Sequence, residues 1–181
     1  MAKQSSIWPK NNVLLTEKEF AAGYDELRLV FNFETMYPAY NQLSVEQEGK
    51  LISALSSVNY GIIHNKYRPG SEAAALYLFF IAKEHFILNG NKRAAVAGLF
   101  TYLKINNKYL KITTEKGEIW EPIYDLAESA AKSTYRDRGK ILKRIKQFID
   151  KHLVNYSDPT RIEISTSAKM WLKNHEGGYS S

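Results

Sequence analysis

Between His85 and Arg93 the chain reads His-Phe-Ile-Leu-Asn-Gly-Asn-Lys-Arg. Histidine's ordinary pKa of about 6.5 suits His85 to take a proton at neutral pH. Gly90 permits a tight turn and a close approach of backbone to a ligand. Asn91 and Lys92 fall where a helix begins, so backbone N–H groups and the positive end of that helix face an anion there. Arg93 adds a planar fork for phosphate oxygens, and Lys92 a compact charge. The chemistry open to such a loop is attack of a hydroxyl on a phosphorus centre, with His85 as base and Gly90, Asn91, Lys92 and Arg93 as cradle. Taken singly, each residue has a plainer role: a histidine that caps or packs, a glycine that stops a helix, a solvated Lys-Arg pair. Order and spacing together carry the reading.

Two apolar helices must hold that loop. Ser71 is a candidate cap for the first, whose Ala74, Ala75, Leu78, Phe79, Ile81 and Ala82 leave little polar surface, and its end delivers His85. The second, Arg93 to Asn106, has apolar residues on more than one side. Upstream, Thr16-Glu17-Lys18-Glu19 has capping-box spacing, and Phe20, Tyr24, Leu27 and Phe31 mark one face of a helix running to about Thr35, before Tyr37-Pro38. Ser44-Val45-Glu46-Gln47 opens another through Leu51, Leu55 and Val58. Between Asn59 and Gly70 the texture changes, and a hairpin or extended flap is expected. Downstream come a short extended piece from Lys108 to Thr114 and helices over Ile119–Ser133 and Asp137–Leu153. The expectation is an all-α helical bundle over residues 1–156, followed by a loosely held tail over 157–181.

The 181 residues, 44% of them hydrophobic, suffice for one ordinary core. Without cysteine, disulfides and thiolate metal sites are excluded, which fits a reducing compartment; a cytoplasmic protein is expected. The N-terminus lacks the apolar stretch of a signal peptide, and the run Ala73–Ala82 is too short to span a bilayer, so no membrane partner is expected. Net charge is +6. Much of it sits in Arg136, Arg138, Lys140, Lys143, Arg144, Lys146 and Lys151, between apolar residues at helical spacing, which reads as a solvated basic face rather than a nucleic-acid stripe. His64, His152 and His175 show no metal-ligand spacing, and no P-loop, dinucleotide turn or nucleophile elbow is present. Trp8, Trp120 and Trp171 are scattered, as packing residues are.

The run from His85 to Arg93 resembles the signature of the Fic/Doc (Fido) family, His-x-Phe-x-(Asp/Glu)-(Gly/Ala)-Asn-(Gly/Lys)-Arg. Its Asn-Lys-Arg ending is similar to the death-on-curing (Doc) branch. The resemblance is close over the motif and loose over residues 16 to 153. It implies a Fido-type helical bundle with a short β-hairpin flap near residues 58–68 that aligns a target segment by strand addition. It also implies ATP and Mg²⁺ as cofactors, and transfer of a phosphate-containing group to a hydroxyl of a target protein. Lys92 and Val96 stand where AMP-transferring members carry Gly and a second Arg, so Doc-like phosphorylation, of a translation factor in that branch, is favoured over AMPylation. A toxin of a bacterial toxin–antitoxin pair, restrained by a separate antitoxin chain, is the implied setting.

Two positions depart from the pattern. Ile87 occupies the aromatic position, and Asn89 the acidic metal-ligand position, where an amide oxygen can reach Mg²⁺ but brings no negative charge. A catalytically impaired Fido-fold binding module is therefore the alternative. Ser44-Val45-Glu46-Gln47-Glu48-Gly49 matches the (Ser/Thr)-x-x-x-Glu-(Gly/Asn) pattern of inhibitory helices in some members, although the capping box already accounts for Ser44.

Overall fold

The computed structural model describes residues 8, 12–30, 38–88, 90–111, 120–134 and 136–156. Within them the order is α1 (Glu17–Val30), a 3-10 turn (Tyr40–Gln42), α2 (Val45–Ile63), α3 (Ser71–Lys83), α4 (Asn91–Ile105), β1 (Lys108–Leu110), α5 (Trp120–Lys132), α6 (Arg138–His152) and β2 (Leu153–Asn155). The expected all-α class is what the chain adopts.

The starts of α1 and α2 follow their capping sequences. The Thr16 N–H donates to Glu19 Oε2 at 2.9 Å. At α2, Ser44 N–H donates to Gln47 Oε1 at 2.8 Å, and Gln47 N–H returns a bond to Ser44 Oγ at 3.3 Å, so donors that a helix start leaves open are satisfied by side chains. Phe20, Tyr24 and Leu27 form the buried stripe of α1, as their spacing predicts. The continuation expected to about Thr35 lies outside the described residues beyond Val30, as does the tail from 157.

The spine is α3 against α4. Every residue from Ala73 to Phe79 is buried, as are Ile81 and Ala82, so α3 is enclosed on nearly every side, with Glu72, Phe80 and Lys83 half-buried. A helix apolar all round must be enclosed. Accordingly α2, α5 and α6 pack on α3, while α1 and α5 pack on α4. The two spine helices approach closely at Gly98, where an added Cβ would lie 2.4 Å from Ile81 Cδ1.

Two helix boundaries differ from expectation. The cap of α3 is Gly70, not Ser71: Gly70 adopts φ +98° beneath the Trp8 ring, and its N–H donates to the Tyr102 hydroxyl at 3.1 Å. Ser71 is the first helical residue and is buried, its Oγ without a partner among the described residues. The second spine helix starts at Asn91, two residues earlier than expected, because Gly90 supplies the turn.

The flap expected near residues 58–68 is not a hairpin. Residues 58–63 continue α2, because the periodic burial of Leu51, Ala54, Leu55 and Val58 carries on to Gly61. The chain then folds back: Lys66 and Tyr67 donate their N–H groups to Gly61 O at 2.8 and 3.0 Å. Tyr67 lies where any Cβ on Gly61 would be, 2.2 Å from its ring, and Arg138 Nη2 holds its hydroxyl at 2.9 Å. The antiparallel strand pair is instead β1 with β2, in the register Lys108–Asn155, Tyr109–Val154 and Leu110–Leu153. It ties the end of α6 to the end of α4.

The last helix buries Ile141, Ile145 and Ile149 and exposes Lys140, Lys143, Arg144 and Lys151. Trp8 and Trp120 are packing residues, the latter against Phe100 with centroids 5.3 Å apart. No helix among the described residues is long and apolar enough to cross a membrane.

Gly98→Ala tests the spine. Overpacking against Ile81 outweighs the gain in helix propensity, for an expected net loss of roughly 1–2 kcal/mol, read from the urea denaturation midpoint.

Candidate functional site

The loop joining α3 to α4 carries the motif, and both ends are fixed. Lys83, the last residue of α3, donates from Nζ to the carbonyl oxygens of Ser133 and Ala131 at the end of α5. Phe86 and Ile87 turn inward and are buried, Phe86 edge-on to Phe20 with centroids 6.4 Å apart. Leu88 points out and is 92% exposed. Ile87 thus has an apolar anchoring role.

Asn91 closes the loop. Its Oδ1 accepts the Ile87 N–H at 3.1 Å, and its Nδ2 donates to Ile87 O at 2.5 Å. The side chain is 8% exposed, so it supplies buried backbone groups with partners they would otherwise lack. The expected cradle residue Asn91 therefore spends its side chain on the loop, and only its backbone is left for an anion. Gly90 takes the left-handed conformation at φ +96°, ψ +5°, no side chain caps α4, and Gly90 O accepts the Ala94 N–H at 2.9 Å.

His85 is exposed and sits at φ +46°, a region where a residue with a Cβ is held at a cost of about 1–2 kcal/mol. The loop's fixed ends impose that conformation, and such strain gathers where a side chain must be aimed. Lys92 is exposed, and its Nζ reaches Glu128 Oε1 on α5 at 3.3 Å. The same carboxylate meets Lys132 at 3.0 Å, and Lys132 first, then Lys92, hold it below the usual carboxylate range. An exposed pair of this kind is weak, so Lys92 can leave Glu128 for a phosphate. Arg93 is half-buried on the first turn of α4. Asn89, the expected metal position, lies outside the described residues.

A cleft of about 640 Å³ opens beside the loop, within the range of small-molecule sites. Ser44, Glu46, Gln47 and Lys50 of α2 form one wall, and His85, Phe86, Ile87, Leu88 and Asn91 the other. The structure thus brings His85 and Asn91 to one cleft, turns Lys92 towards α5, and adds a wall that the motif did not reveal. Glu46 and Lys50 meet there at 2.7 Å, and Lys50 draws the Glu46 carboxyl below its ordinary range. The capping box beside Glu46 marks a helix start but not what the helix faces, and the i,i+4 spacing of Glu46 and Lys50 says that they pair but not where. Glu48, the glutamate of the inhibitory-helix pattern, is not among the lining residues. No family model, curated protein or solved structure matches this chain, so the likeness to the Fic/Doc family stands on the motif residues.

Asn91→Ala should remove both partners of Ile87 and cost roughly 2 kcal/mol, because a buried N–H and C=O are left unpaired. Urea denaturation reads the loss, and amide exchange at Ile87 should accelerate beyond it.

Proposed function

We propose that this protein is a nucleotide-dependent transferase that modifies a hydroxyl of a target protein, phosphorylating it from ATP in the manner of the Doc branch rather than transferring AMP. The observation that carries the reading is His85 on the rim of a nucleotide-sized cleft, five residues before a left-handed glycine that opens an uncapped helix. His85 takes the proton of the target hydroxyl as its oxygen bonds to the γ-phosphorus and the bond to the β-bridging oxygen breaks. The backbone N–H groups of Asn91, Lys92 and Arg93 meet the phosphate oxygens, as the open donors of a helix start do. Arg93 and Lys92 add positive charge where negative charge develops. Val96, at the position of the second arginine of AMP-transferring relatives, is 2% exposed and offers no cation, which supports the γ-phosphate assignment.

Mg²⁺ is commonly held by one or two carboxylates together with substrate phosphates. Among the described residues that line the cleft, Glu46 carries the one carboxylate that suits such a set; when bound, the ion would offset charge on the phosphates. In this reading the protein works in the bacterial cytoplasm as the toxin of a toxin–antitoxin pair. Its target is a translation factor, and a separate antitoxin restrains it. The second reading, a Fido-fold binding module without transfer activity, is favoured by the uncharged Asn89 and by the engagement of Lys92 with Glu128.

Incubation with a bacterial lysate, Mg²⁺ and ATP labelled at the α or the γ phosphate separates the two. The expected result is protein label from γ alone, abolished by His85→Ala. Label from α identifies AMP transfer, and label from neither, with no response to His85→Ala, supports the binding module. Asn89→Asp should raise the rate at limiting Mg²⁺; an unchanged rate would remove metal binding as the weak step.

A further inference from the structure

The transferase reading leaves the α2 wall of the cleft without a full task. Glu46 and Lys50 stand one helical turn apart, their side chains 78% and 43% exposed and joined at 2.7 Å. Apart from His85, the other lining residues carry no ionisable side chain. Lys50 is thus the cleft's own cation and Glu46 its own carboxylate. An exposed pair at this spacing is a weak clasp. A triphosphate, with several charges and many acceptor oxygens, competes well for the lysine.

We propose that Lys50 contacts the phosphate chain of the bound nucleotide, and that Glu46, released from Lys50, becomes the carboxylate ligand of the accompanying Mg²⁺ in place of the acid missing at Asn89. The inference rests on the transferase reading. Before binding, the pair neutralises itself and the cleft is not repulsive to a polyanion. After binding, each charge finds an opposite one on the ligand: the ammonium a phosphate oxygen, the carboxylate the metal. The exchange also answers the sequence's main deficit, because the charge absent from the motif is present across the cleft, on an element far from it in the chain.

The test is calorimetric titration of ATP into the full-length protein and its Lys50→Met and Glu46→Gln variants, with and without Mg²⁺. Lys50→Met should weaken ATP binding roughly tenfold in both conditions, the effect of losing one charge-assisted contact. Glu46→Gln carries opposite signs in the two conditions. Without metal it should tighten ATP binding about threefold, since Lys50 is no longer contested, and with metal it should lose most of the gain that Mg²⁺ brings. Thermal unfolding of both variants should stay close to wild type, since the side chains are exposed. Wild-type binding with both variants indistinguishable from it overturns the inference alone. Weakening by Lys50→Met with an unchanged Mg²⁺ response in Glu46→Gln overturns its metal half. Failure of the wild-type protein to bind ATP overturns the transferase reading and this inference together.

Discussion

The close contact of α3 with α4, at Gly98 against Ile81, constrains everything around it. Because α3 is apolar on nearly every side, it is stable only when surrounded, and α2, α4, α5 and α6 supply that enclosure. A loop joining two such helices cannot pass through the packed interior, where its backbone groups would lack partners, so it runs across the end of the spine. Phe86 and Ile87 remain in the core as anchors, and Leu88 is left exposed beside the α2 wall. The site's position is thus a consequence of packing.

Within that frame, chemistry and stability share residues. Asn91 looks in sequence like a cradle residue, and its side chain serves the loop by satisfying both backbone groups of Ile87. That arrangement lets Gly90 hold its left-handed turn and leaves the start of α4 without a side-chain cap. His85 sits in the strained conformation that the fixed ends impose. The cations are less fixed: Lys92 rests on Glu128 and Lys50 on Glu46, each in an exposed pair that a stronger anion can dissolve.

Much of this was legible in the sequence where the signal is local. Capping boxes at Thr16 and Ser44, the continuous apolar run of α3 and the Gly90 turn each act over a few residues, and each gave a helix start within two residues of where it is observed. What could not be read depended on contacts distant in sequence. The segment near residues 58–68 looked like a hairpin or extended flap because Tyr60, Ile62, Ile63 and Tyr67 flank a polar centre of His64, Asn65 and Lys66. Packing of α2 on α3 and the fit of Tyr67 over Gly61 extend the helix instead. Ser71 looked like a cap, but Gly70, under Trp8 and bonded to Tyr102, takes that position. The α2 wall of the cleft was invisible for the same reason, since no spacing rule relates Lys50 to His85.

The central claim is that the loop from His85 to Arg93 and the α2 wall together receive a nucleoside triphosphate. Amide NMR of the isotopically labelled protein, titrated with Mg²⁺ and ATP, tests it most directly. The account predicts saturable shifts for Ile87, Gly90, Asn91 and Lys92 and for the first turns of α2, with the amides of α6 unmoved. Shifts confined to the basic face of α6, or none at saturating nucleotide, would contradict it.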